Sequence, residues 1–131
     1  MTTETAEKQP IDVVTAFMAA MEKLDYDTAL TLVSDDCEYV NVPLATVYGP
    51  EGIRGILEPF FAPTLKNEWI IKTTAVAGPV VFMERLDRHQ LANGWAELPV
   101  TGVFEVHDGR ITAWRDYFDF ATIERGLAEH S

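Results

Sequence analysis

Residues 95–119, WAELPVTGVFEVHDGRITAWRDYFD, are the stretch that determines the fold. Two runs rich in β-branched and aromatic residues, 95–107 and 110–119, flank the dipeptide Asp108-Gly109. An Asp-Gly pair favours a two-residue hairpin turn, because both turn positions need positive φ angles that Asp tolerates and Gly adopts freely. The stretch therefore predicts two long antiparallel strands joined by a tight turn.

The chain before this hairpin continues the sheet. Gly78-Pro79 and Ala92-Asn93-Gly94 are turn signals that separate further runs of strand-forming residues. A shorter alternating segment ends at Pro43. The predicted strands are residues 37–42, 68–77, 80–89, 95–107 and 110–119.

Helices are predicted at both ends of the chain. Pro10 can open the first helix, because its missing N–H would be unpaired in the first turn anyway. Apolar residues at 14, 17, 18, 21 and 24 then follow a period of 3.6. Asp27 is the predicted N-cap of a second helix over 27–33, a third begins at Pro50 with an end made irregular by Pro59, and residues 121–129 form a closing helix.

This order of elements predicts an α+β fold. A curved, mixed and mostly antiparallel sheet would wrap on the N-terminal helices and form a cone with an internal pocket. The length of 131 residues suits one domain. We expect a flexible tail at residues 1–9 and a single domain over 10–131.

Composition excludes several functions. The chain has 10 Lys+Arg against 21 Asp+Glu and a net charge of −11, which argues against nucleic acid and anionic membrane partners. No apolar run is long enough for a membrane span, and the N-terminus lacks an apolar secretion signal. A small, acidic, cytoplasmic domain is expected.

Metal and cysteine chemistry are also unexpected. Cys37 is the only cysteine, so an intramolecular disulfide and a Cys-cluster zinc site are excluded. A small buried thiol is the better interpretation of Cys37. The three histidines, His89, His107 and His130, have no metal-ligand spacing.

Several charged residues share strand faces with apolar ones. Alternation places Arg85 and Asp87 on the face of Val81 and Met83. The pair is either an ion pair on a solvated or dimer-facing surface, or part of an interior site.

The same conflict occurs in the last strand. Asp116 shares a face with Trp114 and Phe118, and burying an ionised carboxylate there is costly unless it is paired or keeps its proton. An acid at an exposed sheet edge is the other interpretation. Tyr39 and Asn41 share a face too, as strand-end polar groups often do. If all these side chains faced one interior, they could supply a base, an acid and a positioned water.

With these residues the sequence resembles the limonene-1,2-epoxide hydrolase family, whose cone-shaped α+β fold is shared with ketosteroid isomerases and nuclear-transport-factor-like domains. The resemblance runs from about residue 11 to residue 127. It rests on YVNVPL (39–44), YG (48–49), ERLD (84–87) and GRITAWRDYFD (109–119).

The resemblance implies a role for each polar residue. Asp87 would take a proton from water, and Tyr39 and Asn41 would hold that water against the epoxide. Asp116 would protonate the epoxide oxygen, and Arg85 would bridge the two carboxylates. The implied reaction adds water to a small cyclic or terpene-like epoxide in one step, giving a vicinal diol with neither cofactor nor metal.

The pocket wall follows less directly from the pattern. By position, the candidate lining residues are Met18, Met21, Phe60, Trp69, Leu98, Val100, Trp114 and Phe118, although apolar residues at such spacing are more often plain core. His89 and Lys66 fall where apolar residues would be easier to accommodate. An ideal hairpin would pair Thr101 with Asp116 and turn Leu98 and Val100 away from the pocket, whereas a bulge at Gly102 would bring them back.

Two other functions are compatible with such a cone. An isomerase or cyclase of the ketosteroid-isomerase or polyketide-cyclase kind needs an acid/base carboxylate but no water-holding pair. A non-catalytic small-ligand binding module needs neither acid inside the cavity. Trp95, Tyr117 and the outer face of the long strands are candidates for a homodimer surface.

Overall fold

A computed structural model describes residues 9–42 and 44–130 of the chain. The predicted tail at 1–9, apart from Gln9, and the strand end at Pro43 lie outside the described residues. The elements are α1 (Pro10–Glu22), α2 (Tyr26–Leu30), β1 (Val33–Val42), β2 (Ala45–Tyr48), α3 (Gly49–Phe61), β3 (Lys66–Ala77), β4 (Val80–Leu91), β5 (Gly94–His107), β6 (Arg110–Tyr117) and α4 (Phe120–His130).

The six strands form one sheet in the order β2-β1-β6-β5-β4-β3. Only the β1–β6 pair is parallel among the described strands, and the other neighbours are antiparallel. Helix α1 packs on β3–β6, α3 on β1 and β2, and α4 on β5. The predicted α+β fold with a mixed, mostly antiparallel sheet is confirmed. The short strand β2 was not predicted.

The β5–β6 hairpin fixes which residues face the interior. Asp108 and Gly109 have φ angles of 54° and 76°, as the two-residue turn requires. The register then shifts by one residue, because β6 contains an extra residue, Thr112, between the partners of Val106 and Glu105. Of the two registers that the sequence left open, the hairpin therefore has the one with a bulge, and the bulge lies at Thr112 rather than at Gly102.

Two details of the helices also differ from the sequence predictions. The N-cap of α2 is Asp25, whose Oδ1 accepts a hydrogen bond from the Thr28 N–H at 3.2 Å, and Asp27 lies two residues later, in the first turn of the helix. Pro59 lies within α3, which continues to Phe61. A proline this close to the end removes a single hydrogen bond, so the helix tolerates it.

The main core lies between α1, α3 and the concave face of the sheet. Phe17 is fully buried and contacts the rings of Phe104 and Trp114 edge-on. Cys37 is also fully buried, and burial raises the pKa of its thiol to about 12. It therefore behaves as a small apolar residue, as predicted. No helix in the described ranges is long and apolar enough to cross a membrane.

Candidate active site

A cavity of about 390 Å³ opens between the concave face of the sheet and helices α3 and α4. Its walls are mostly apolar, with a few polar groups at one end, as expected of a small-molecule site. The lining residues are Tyr39, Asn41, Leu44, Ile56, Leu57, Phe60, Phe61, Trp69, Asp87, His89, Leu98, Val100, Trp114, Asp116, Phe118, Phe120, Ile123, Glu124 and Leu127.

A buried arginine joins two carboxylates at the polar end of the cavity. Arg85 holds Asp87 with two hydrogen bonds, Nε to Oδ1 at 2.8 Å and Nη2 to Oδ2 at 2.9 Å. It also holds Asp116, with Nη1 to Oδ1 at 3.2 Å and Nη2 to Oδ2 at 3.0 Å. The Arg85 side chain is 0% exposed. Of the two interpretations offered by the sequence, the solvated surface ion pair is therefore excluded.

Two neighbours make room for this guanidinium. Arg85 Cζ lies 4.9 Å from the centroid of the Trp69 ring, so its charge faces an aromatic surface. On the adjacent strand, Gly102 pairs with Asp116 and has no side chain. A Cβ at that position would lie 2.7 Å from Arg85 Nη1 and 3.0 Å from Asp116 Oδ1. The guanidinium therefore occupies the space that a side chain at this position would need.

The electrostatics of the cluster shift Asp116 towards its protonated form. Burial raises the pKa of Asp116, against the opposing effect of the Arg85 charge. Burial alone would lower the pKa of Arg85, but the charges of Asp116 and Asp87 outweigh it and raise that pKa above its ordinary value. The cluster thus keeps its cation, and Asp116 is the acid that burial biases towards the neutral form.

The parallel pairing of β1 with β6 brings two neutral polar groups to this cluster. Tyr39 lies beside Trp114, and their rings stack with centroids 3.9 Å apart, while Asn41 pairs with Asp116. The Tyr39 hydroxyl donates to Asn41 Oδ1 at 2.9 Å. Burial raises the pKa of Tyr39 well above its usual range, so the phenol stays protonated. The structure thus brings all five polar residues of the sequence prediction together.

The structure sorts the predicted wall residues into two groups. Phe60, Trp69, Leu98, Val100, Trp114 and Phe118 line the cavity. Met18 and Met21, in contrast, belong to the main core and are not among the lining residues, so the sequence placed them wrongly. The reason is that α1 packs across β3–β6 and turns its apolar stripe to the core rather than to the cavity.

Helices α3 and α4 supply most of the wall residues that were not predicted. Ile56 and Leu57 belong to the apolar stripe of α3, and Ile123 and Leu127 to that of α4. The stripes were visible in the sequence as helix periodicity. Which stripe covers a cavity depends on how the helix docks on the sheet, and a local pattern carries no information about that docking.

His89 also lines the cavity and is only 2% exposed. Its Nδ1 lies 2.8 Å from Asn67 Oδ1, and Asn67 Nδ2 donates to the Met21 carbonyl at 3.1 Å. Lys66, the other residue at a position expected to be apolar, is exposed on β3. Within the described ranges, no cluster of three His, Cys, Asp or Glu side chains could hold a metal ion.

The fold and the cavity define an α+β cone with an acid–arginine–acid cluster at the end of a small apolar pocket. A family model of the limonene-1,2-epoxide hydrolase catalytic domain matches residues 8–129. The chain belongs to this family.

One relative and one solved structure agree with this assignment, and a second solved structure shares the fold. Epoxide hydrolase EphG of Mycobacterium tuberculosis is 35% identical over 114 residues, covering 87% of this chain and 76% of that protein. The structure of an M. tuberculosis LEH-like epoxide hydrolase has 34% identity and a TM-score of 0.79 over 92% of this chain and 90% of that one. A SnoaL-like polyketide cyclase from Shewanella putrefaciens has a TM-score of 0.83 at 19% identity, covering 95% of this chain and all (100%) of that one, and shares the fold alone.

Proposed function

We propose that this protein is an epoxide hydrolase that adds water to a small, mostly apolar epoxide in one step and releases a vicinal diol, without cofactor or metal. One observation carries the proposal: Arg85, fully buried, holds Asp87 and Asp116 together at the polar end of an apolar cavity. Family membership supports the reaction class.

Asp87 is the proposed base. Both of its carboxylate oxygens accept hydrogen bonds from Arg85, and its side chain lines the cavity. Because the Tyr39 hydroxyl donates a hydrogen bond to Asn41 Oδ1, the Tyr39 oxygen can accept a hydrogen bond from the attacking water, and Asn41 Nδ2 can donate one to that water. Asp87 accepts the other proton, which leaves one lone pair of the water free to attack the epoxide carbon.

Asp116 is the proposed acid. Oδ1 accepts hydrogen bonds from Arg85 Nη1 and, at 2.7 Å, from Trp114 Nε1, whereas Oδ2 accepts only from Arg85 Nη2 among the described residues. Oδ2 therefore has the room for a proton. As water attacks, the C–O bond of the epoxide breaks and its electron pair takes this proton. A proton transfer from Asp87 back to Asp116 then resets the site.

The source of the new oxygen tests this proposal. In a single turnover with enzyme in excess in oxygen-18 water, direct attack gives labelled diol at once and unlabelled Asp87 and Asp116. If a carboxylate attacked first, the first diol would be unlabelled and one aspartate would carry the label, detectable by peptide mass. Unlabelled first-turnover diol would overturn the one-step mechanism.

The substrate class is tested by a panel of cyclic and terpene epoxides that differ in bulk, assayed beside a 3-keto steroid. Diol formation from several epoxides is the expected result. Isomerisation of the steroid with no diol from any epoxide would favour the isomerase and overturn the hydrolase.

The outer face of the sheet is the proposed homodimer surface. Phe82 and Tyr117 are 43% and 44% exposed there, large values for aromatic side chains. Trp95, expected at the same surface, is half-buried beneath Arg88. Light scattering at micromolar concentration should give twice the 14.7 kDa chain mass, and an active monomer would contradict the dimer. The absence of nucleic acid and membrane partners and the cytoplasmic location stay predictions.

A further inference from the structure

His89 is a polar residue of the cavity that the proposed reaction does not use. His89 follows Asp87 by two residues on β4, so both side chains are on the same face of the sheet. Its ring contacts Phe60 and Phe61, with centroids 5.5 and 5.3 Å away. An imidazole among apolar side chains needs a hydrogen-bond partner for each nitrogen, since an unpaired buried polar group is unfavourable.

The surrounding contacts determine which nitrogen carries the proton. Asn67 uses its Nδ2 to donate to the Met21 carbonyl, so its Oδ1 faces His89 Nδ1 as an acceptor. His89 Nδ1 therefore carries the proton and donates. Burial, and next the positive charge of Arg85, lower the pKa of His89 to about 4, so the ring is neutral at pH 7 with a single N–H. Nε2 is then a pure acceptor.

This acceptor is available to a ligand. Among the described residues no hydrogen bond reaches His89 Nε2, and His89 lines the cavity. Trp69, which lines the same cavity, has a buried Nε1–H with no partner in the described part of the chain. The Trp69 donor is buried, so the group that this wall offers to a ligand is the His89 acceptor. A hydroxyl group matches it, since its O–H can donate to Nε2.

We propose that His89 Nε2 binds a hydroxyl group of the substrate, so that the epoxides this protein prefers carry an alcohol on the part of the molecule remote from the oxirane. The proposal rests on the proposed function and specifies its substrate class. His89 is a specificity-determining residue in this scheme and takes no part in the proton transfers.

The strand geometry sets the distance between the two substrate groups. The Cα atoms of residues two apart on a strand are separated by about 7 Å, so we expect the hydroxyl to bind at about this distance from the Asp87 carboxylate. A hydroxyl directly beside the epoxide is too close. A hydroxymethyl group across a six-membered ring from the epoxide is at a suitable distance.

The experiment compares two matched epoxides of cyclohexene that carry either a hydroxymethyl or an ethyl group on the same ring carbon remote from the oxirane. The two differ by one hydroxyl in place of one methyl. The unmodified protein should show a kcat/KM about tenfold higher for the alcohol, the size of one neutral hydrogen bond. His89→Leu should remove this preference by lowering kcat/KM for the alcohol alone. Leu98→Met changes the same cavity without a polar group and should affect both epoxides by the same factor.

Each outcome decides between the alternatives. No preference in the unmodified protein, or an equal loss on both epoxides in His89→Leu, would overturn the proposal and leave epoxide hydrolysis intact. If neither epoxide reacts, the wider epoxide panel decides the proposed function. Binding of cyclohexylmethanol and ethylcyclohexane, followed by the fluorescence of Trp69 and Trp114, then tests His89 independently. Equal affinities would overturn the alcohol site.

Discussion

Strand β4 carries two arginines on opposite faces of the sheet, and each binds two carboxylates and lies over a tryptophan ring. Arg85 bridges Asp87 and Asp116 over the ring of Trp69. Arg88 bridges Glu68 and Glu97, at 2.6 and 2.7 Å, over the ring of Trp95 at 4.3 Å. The Arg85 side chain is 0% exposed and that of Arg88 27% exposed.

The comparison separates pairing from burial. Exposed ion pairs such as those of Arg88 contribute about 0–1 kcal/mol each, because water competes for both partners. The Arg85 cluster is removed from water, which costs a substantial desolvation free energy. Its partners, Asp87 and Asp116, lie at the end of the cavity. Burial also raises the pKa of Asp116. Two acids and an arginine form a candidate active site when they are buried beside a cavity. The same three groups on the outer face of the sheet form ordinary surface ion pairs.

The largest predicted difference between the two clusters comes from their carboxylates. Asp87→Asn should lower diol formation by about 100- to 10,000-fold, because the amide keeps the shape of the side chain but cannot take the proton of water. Glu97→Gln is the matched change in the outer cluster and should leave kcat unchanged. Circular dichroism should show that both variants fold. Near-normal kcat in Asp87→Asn would contradict its assignment as the base.

Exchanging each arginine for lysine should give the next largest difference in kcat between the two clusters. A lysine ammonium cannot hold two carboxylates in fixed directions, so Arg85→Lys should lower kcat by about 10- to 100-fold. Arg88→Lys should leave kcat unchanged and should change the free energy of unfolding by no more than about 1 kcal/mol. Equal behaviour of the two variants, measured by steady-state kinetics and urea unfolding, would remove the distinction between the clusters.

The water-holding pair should give a smaller and more selective effect. Tyr39→Phe and Asn41→Ala each remove one hydrogen bond to the attacking water, so kcat should fall by about tenfold while KM stays nearly constant. Outside the cavity, Thr73 donates to Glu84 at 3.2 Å, and Thr73→Val should alter neither constant. A raised KM with unchanged kcat would place Tyr39 and Asn41 among the groups that bind substrate.

The smallest predicted effect concerns pH. Asp116 must be protonated to act, so kcat/KM should fall as pH rises through its raised pKa. The hydrogen bond from Trp114 Nε1 lowers that pKa. Trp114→Phe should therefore move the alkaline limb of the plot of kcat/KM against pH to higher pH, by less than about one unit. Trp95→Phe, beneath Arg88, should leave the limb in place. A shift to lower pH in Trp114→Phe would contradict Asp116 as the acid.

The sequence could predict which residues share a strand face but not always which face is inside. In the segment 80–89, alternation placed Arg85 with Asp87 and Arg88 with Leu86 and Phe82. Each face then carried both charge and apolar surface, so local pattern left the choice open. The choice was made by non-local contacts: the parallel pairing of β1 with β6 and the packing of α1 on the sheet. Residue resemblance, rather than periodicity, indicated the correct side.

In the β5–β6 hairpin, the turn was predictable from the sequence but the position of the bulge was not. The turn at Asp108-Gly109 followed from two residues, whereas the choice between an ideal hairpin and one with an extra residue stayed open. The sequence suggested Gly102 for the irregularity, because glycine is common at bulges. The bulge is at Thr112, and Gly102 serves another purpose that became visible only when Arg85 was placed beside it.

Gly102 shows that this site depends on an absent atom as well as on reactive ones. Four hydrogen bonds hold the Arg85 guanidinium, so it cannot move aside cheaply for a Cβ only 2.7 Å from Nη1. Even alanine, the mildest replacement, would force the cluster apart while leaving every proton-transferring group in the sequence. During divergence this position would be as restricted as the acids themselves. A homologue that kept all five polar residues but gained a side chain here could keep the fold and lose the chemistry.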